Sequence, residues 1–305
     1  MKNIYTDLAK EAVELHDGQQ IEGVRTREYQ LSQHICVSRV EVLDRAGAQA
    51  LQKEKGTYLT IECALLHTGT VEIKKALVEA LRDELAGMLP KSPCVLVVGL
   101  GNRNITPDSL GPRVCEKLFV TRHIREYLPE LITNSDTGVC ALAPGVLGMT
   151  GIETQEIIRG VVERVHPDLV IAVDALAARS VSRIATSIQL ADAGIAPGAG
   201  IGNRRQALNQ QELGVPVLAL GVPMVVFAST IAYELTEHAV LASDLPKRSK
   251  ERLFDTMQEM EGNDLIVTPK EIDTMIETVS EVLAESLNLA LHPKMTPQEI
   301  HALMS

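Results

Sequence analysis

Residues 70–89, TVEIKKALVEALRDELAGML, place Val71, Leu77, Val78, Leu81 and Leu85 on one stripe at helical spacing. They predict an amphipathic helix that Thr70 caps and Pro90 follows. Two other stretches have a different pattern. CVLVVGL (94–100) and HPDLVIAVDALA (166–177) run on as apolar residues without alternation, as strands covered on both faces do. HICVSRVEVL (34–43), TYLTIECALL (57–66), VSRIATSIQLA (181–191) and VPVLALGV (215–222) read as further strands. Helical periodicity returns at 6–15, 46–54 and 152–165, and again over 226–242, 246–261, 270–290 and 296–304.

Strand and helix alternate through the middle of the chain, which predicts an α/β fold: a single open, mostly parallel sheet with helices on both faces. No Pro-, Ser- or Gly-rich linker, internal repeat or low-complexity tract divides the sequence. The expectation is one domain over 1–305 with its core at about 93–240. The N-terminal section is an elaboration on it, residues 1–15 are a candidate propeptide or N-terminal segment, and the C-terminal segment is helical.

Composition narrows the picture. Hydrophobic residues make up 45% of the 305, aromatics only 3%, and Trp is absent, so the core is built from Val, Leu, Ile and Ala. The net charge of −11 excludes nucleic acid as a direct partner, because phosphate backbones select basic surfaces. Five cysteines, with no C-x-x-C pair, imply a reducing compartment. The start, MKNIYTDLAKEAVELHD, lacks the apolar core of a signal peptide. The most apolar segment, VPVLALGVPMVVFA (215–228), is short of a span and carries two prolines. A soluble, cytoplasmic protein with no membrane partner is expected.

The chemistry centres on VLVVGLGNRNITPDSLGP (95–112), a buried strand that meets a glycine pair and then an acid. A dinucleotide turn needs a third glycine and a later ribose-binding acid. Asn104 stands after Gly99 and Gly101, and no such acid follows. Asp108 instead lies in the loop after a strand, where open α/β sheets act on their ligands; as a helix cap it would be structural. Asp174, closing LVIAVD, is a second acid at the end of a buried strand. If the two strands are parallel neighbours, both acids emerge at one rim. A carboxylate pair in one cleft titrates unequally, so one can take a proton from water while the other donates. Two separate structural caps remain the alternative.

Other motifs carry less. Asp136-Thr137-Gly138 spells the aspartic-protease triplet, but no second copy follows and it reads as a turn. There is no H-E-x-x-H and no G-x-S-x-G. GAGIGNRR (198–205) is either a surface turn or a basic lip. No metal or cofactor is expected. One alternative has the two acids hold a divalent ion with His238, and another is a non-catalytic dinucleotide-binding protein using Gly99–Asn104.

TDLAKEA (6–12), VLVVGLGNRNITPDSLGP, VTRH (120–123), the long run 143–180, GAGIGNRR and LGVPVLALGVPMVV (213–226) together resemble the germination protease (spore protease) family of spore-forming bacteria. The resemblance spans most of the chain. It implies a fold similar to hydrogenase-maturation endopeptidases. It also implies an endopeptidase of the spore core that degrades small acid-soluble spore proteins in germination, cutting after Glu and before an aliphatic or aromatic residue. Such enzymes are self-processing zymogens and homotetramers. The family's two proposed catalytic aspartates map onto Asp108 and Asp174. Gly101 and Asn102 of the turn, with Arg204 and Arg205, are the candidates for substrate binding, the arginines for its Glu. The sequence departs from the family pattern in four places. Tyr5 precedes Thr6 where Arg is usual, with only four residues before it, so a long leader is not expected. Met149 replaces Gln, Met224 replaces Thr, and Phe227 stands where an acid is usual.

Overall fold

The computed structural model describes residues 6–16, 19–90, 94–128, 137–196, 207–243, 246, 248–249, 252–253 and 265–304. Among them, one sheet of nine strands organises the molecule: β1 (Val24–Ser32), β2 (Ile35–Val42), β3 (Gly56–Glu62), β4 (Cys94–Gly99), β5 (Gly138–Leu142), β6 (Leu169–Ala178), β7 (Ser187–Ala191), β8 (Val217–Phe227) and β9 (Ile266–Val267). Their order is β1-β2-β3-β7-β8-β6-β4-β5, with β9 paired to the end of β8. The block β8-β6-β4-β5 is parallel, and β1-β2-β3-β7-β8 is antiparallel. The expected parallel α/β sheet is therefore present as one half. The N-terminal elaboration and β7 extend the same open sheet in the antiparallel sense.

Alternation along the strands divides the core between two faces. Val95, Val97, Ile171, Val173, Leu218 and Leu220 point to one face, under α3 (Val71–Met88) and α10 (Ile272–Leu291), with α4 (Leu110–Glu116) beside them. Leu96, Val98, Val170 and Ala172 point to the other, with Ile158 and Val162 of α7 (Thr154–Val165). On that second face the antiparallel half is covered by α1 (Ala9–Glu14) and α2 (Arg45–Leu51), which bring Ala9, Ala12 and Leu51 onto Val40, Val42 and Tyr58. Helices thus lie on both faces. The rest are α5 (Arg122–Tyr127), α6 (Leu147–Thr150), α8 (Gln210–Leu213), α9 (Ala228–Leu241) and α11 (Pro297–Met304).

The stripe on α3 holds at Leu77, Val78, Leu81 and Leu85, all buried, but Val71 is 78% exposed in the first turn. Thr70 stands at the cap position without making a side-chain capping bond. The strand expected over 181–191 is shorter. Val181–Arg183 form a 3-10 turn, and only Ser187–Ala191 pair. The strand expected at 215–222 is longer and runs through Pro223 to Phe227. Pro223 is tolerated where the pairing of β6 and β8 shifts register: Leu176 faces Pro223, Ala177 faces Val225, and Met224 bulges out of the ladder into the core. The helix expected at 246–261 lies almost wholly outside the described residues.

Candidate active site

β4 stops at Gly99, opposite Val173 of β6, while β6 continues five residues further to Ala178. The turn after β4 is pinned to that point, since the Leu100 N–H donates to the Val173 carbonyl at 2.8 Å. Gly111, at the start of α4, packs so close that a Cβ there would lie 2.5 Å from the same carbonyl oxygen. The chain then turns back on itself. The Ile105 N–H donates to the Asn102 carbonyl, and Thr106–Asp108 form a 3-10 turn.

Asp108 folds over this turn. Its Oδ2 accepts the Asn102 N–H at 2.7 Å, so this bond runs backward into the glycine turn and not forward into α4. The N-cap of α4 is Ser109, and it makes no side-chain capping bond. Gly101 sits beneath the acid at φ +108°, where a Cβ would come within 2.0 Å of the Asp108 carbonyl oxygen. Gly101 and Asn102, expected to meet substrate, are thus the residues that hold Asp108 in place.

Asp174 is the first residue of β6 beyond the end of β4, and it is only 7% exposed. It lies within a ten-residue strand, not at its end, because β8 accompanies β6 further than β4 does. Its Oδ1 accepts the Ala175 N–H at 2.9 Å. Gly221 pairs with it on β8 and brings no side chain; Leu176 fills that room. Through the Leu100–Val173 bond, the segment carrying Asp108 is fastened to the residue preceding Asp174. Both acids therefore lie just beyond the carboxyl end of β4, Asp108 in the turn that follows it and Asp174 on the stretch of β6 that β4 no longer covers.

The amides of the turn point inward. The N–H groups of Leu100, Asn102 and Asn104 go to the Val173 carbonyl, Asp108 and the Asn102 side chain. A phosphate would meet the Asp108 carboxylate there, which is unfavourable for a dinucleotide. Phe227 ends β8, six residues past Gly221 and so about 20 Å along the strand, and it is buried. It therefore does not adjoin Asp174. Arg204, Arg205 and Asp136 lie outside the described residues, as does the side chain of His238.

One part of the neighbourhood was not foreseen. Where β4 no longer covers β6, the segment before α1 takes its edge. The Asp7 N–H donates to the Ala177 carbonyl at 3.0 Å, and the Ala177 N–H donates to Asp7 Oδ2 at 2.8 Å. Gln189 of β7 brackets the segment, accepting from the Ala9 N–H and donating to the Asp7 carbonyl. Glu11, 2% exposed, receives the N–H groups of Arg179 and Ser180 and the Thr6 hydroxyl. Burial raises its carboxyl pKa above the ordinary 4.5, with the bond from the Arg179 N–H opposing most strongly. Beside this latch opens a cavity of about 690 Å³, lined by Asp7, Lys53, Leu176, Arg179, Gln189 and Gly221 among others.

Among the described residues, one group of three side chains has metal-ligand types in reach of one another: Glu28, Cys36 and Glu62, on the antiparallel half. Lys10 pairs with both glutamates and Arg183 with Glu62, so cations of the protein itself occupy that cluster. Also among the described residues, no helix is long and apolar enough to cross a membrane.

The fold is that of an open-sheet α/β protein, with Asp108 and Asp174 on neighbouring segments beyond the end of β4. The germination protease family model matches residues 2–241 and 237–303. A germination protease of Clostridium perfringens (strain 13 / Type A) is 41% identical over 326 residues, covering 100% of both chains. One from Caldanaerobacter subterraneus subsp. tengcongensis is 42% identical over 318 residues, covering 99% of this chain and 98% of its own. One from Bacillus velezensis is 40% identical, covering 96% and 94%. A solved NiFe hydrogenase maturation protease, HycI from Thermococcus kodakarensis KOD1, is 18% identical at a TM-score of 0.33, over 68% of this chain and 98% of its own. The chain belongs to the germination protease family, and is a peptidase.

Proposed function

We propose that the protein is the endopeptidase that initiates degradation of small acid-soluble spore proteins in the spore core during germination, cutting after Glu. Asp108 and Asp174 hold a water between them. One carboxylate takes its proton as the oxygen attacks the scissile carbonyl; the other, protonated, gives its proton to the leaving amine. The observation that supports this most is the bond from the Leu100 N–H to the Val173 carbonyl, which ties the Asp108 turn to the residue before Asp174. Arg204 and Arg205 belong to the proposal as binders of the substrate's Glu. So do a homotetrameric assembly and a self-processed precursor.

The test is incubation of the purified protein with a purified small acid-soluble spore protein and mapping of the cut sites by mass spectrometry. Cuts after Glu that survive a strong chelator are expected. An intact substrate, or cuts unrelated to Glu, would refute the reading.

A further inference from the structure

The loops after β4 and β5 carry apolar side chains that the core does not use. Ile105 is 51% exposed, Leu147 40%, Met149 53% and Ile152 47%. Single exposed hydrophobics such as Leu31 and Leu43 are ordinary. These four differ in position. Ile105 belongs to the turn that Asp108 closes, where the Asp108 N–H donates to its carbonyl at 2.9 Å. The other three belong to α6 and its flank, which follow β5, and β5 lies parallel to β4 with Leu142 beside Val98. Along the rim the order is therefore Asp174 on β6, the Asp108 turn after β4, then the apolar loop after β5.

That loop is built to hold its shape. Gly145 and Gly151 bracket α6 at φ +77° and +71°. The Thr154 hydroxyl donates to the Gly145 carbonyl at 3.2 Å, and the Ile152 N–H donates to the Thr150 hydroxyl at 3.1 Å. Local hydrogen bonds hold this main chain while the side chains of Leu147, Met149 and Ile152 remain exposed within six residues of one another.

If Asp108 and Asp174 cut a protein chain as proposed above, we infer that Ile105, Leu147, Met149 and Ile152 form the subsite for the apolar side chain that follows the cleaved Glu. Adjacent strands lie about 4.8 Å apart and an extended chain advances about 3.3 Å per residue. A substrate crossing the rim from β4 toward β5 therefore brings the residue after the scissile bond over this loop. The opposite direction leads past β6 toward the cavity beside the latch. Met149 is exposed and long, and it adapts to both aliphatic and aromatic partners.

The experiment uses two peptides that differ only in Ile or Ala after a single Glu, and reads kcat/KM for each. Wild type is expected to favour the Ile peptide. The double variant Leu147→Ser, Met149→Ser is expected to lower that Ile-to-Ala ratio about tenfold, the discrimination one apolar side chain confers. Leu43→Ser, on an exposed side chain elsewhere, is expected to leave the ratio unchanged. An unchanged thermal midpoint in the double variant attributes its effect to the subsite. A double variant that keeps the wild-type ratio overturns the inference and leaves the peptidase reading standing. A wild-type protein that cuts neither peptide overturns both.

Discussion

The Asn102 N–H reaches the Asp108 carboxylate at 2.7 Å, across a turn that contains Gly101 at φ +108°. An acid six residues further along the chain is held by main chain and needs no other side chain for this bond. The glycine turn that closes β4 resembles a phosphate-binding turn in sequence, but its Gly101 lies against a carboxylate belonging to the protein, while Gly99 packs against Gly111.

The turn sets the first prediction. Gly101→Ala places a methyl group 2.0 Å from the Asp108 carbonyl oxygen and strains the backbone by about 1–3 kcal/mol. Unfolding by urea is expected at lower concentration. Turnover of a peptide substrate is expected to fall about 100-fold, because the carboxylate is displaced. A variant with wild-type turnover would show that the position of Asp108 does not depend on the turn.

A second prediction concerns the latch. Glu11→Ala leaves the N–H groups of Arg179 and Ser180 and the Thr6 hydroxyl without their acceptor, a cost of about 1–3 kcal/mol. Hydrogen exchange is expected to quicken at residues 7–12 and 177–180 before it does in α3. Uniform exchange across the sheet would place the cost elsewhere.

The third follows from His292, fully buried, whose ring lies edge-on to Phe119 at 5.1 Å and whose Nε2 meets the Phe119 carbonyl at 3.2 Å. Burial lowers its pKa from the ordinary 6.5. Between the two values the unfolded chain binds the extra proton. The contribution is therefore complete above about pH 6.5 and is lost as pH falls toward the folded pKa. Urea midpoints taken from pH 7 to pH 5 are expected to fall more steeply for wild type than for His292→Gln. Equal slopes would contradict the assignment.

The parallel half of the sheet was legible because each of its long strands is buried on both faces, so CVLVVGL and LVIAVDALA read as unbroken apolar runs. The same property makes an acid conspicuous, as it does for Asp174 within LVIAVDALA, whereas Asp108 is marked by its place in the loop after such a strand. What could not be read was set by tertiary context. β1, VRTREYQLS, is an edge strand with most of its residues exposed and no apolar face to announce it. β5, GVCAL, is five residues long. Val71 has the spacing of the α3 stripe but lies beyond the reach of the sheet. The apolar run before Asp174 places it at a strand end, whereas pairing with β8 carries the strand on to Ala178. The docking of Asp7 on Ala177 joins residues 170 apart, and no local pattern encodes it.

The proposed hydrolysis requires both carboxylates in the same chemical step. Steady-state turnover of an internally quenched Glu–Ile peptide by Asp108→Asn and Asp174→Asn, each confirmed folded, tests it most directly. Each variant is predicted to lose about 1,000-fold in kcat with KM changed by only a fewfold, as expected when a group acts mainly in the transition state. Turnover within about tenfold of wild type in either variant would contradict it.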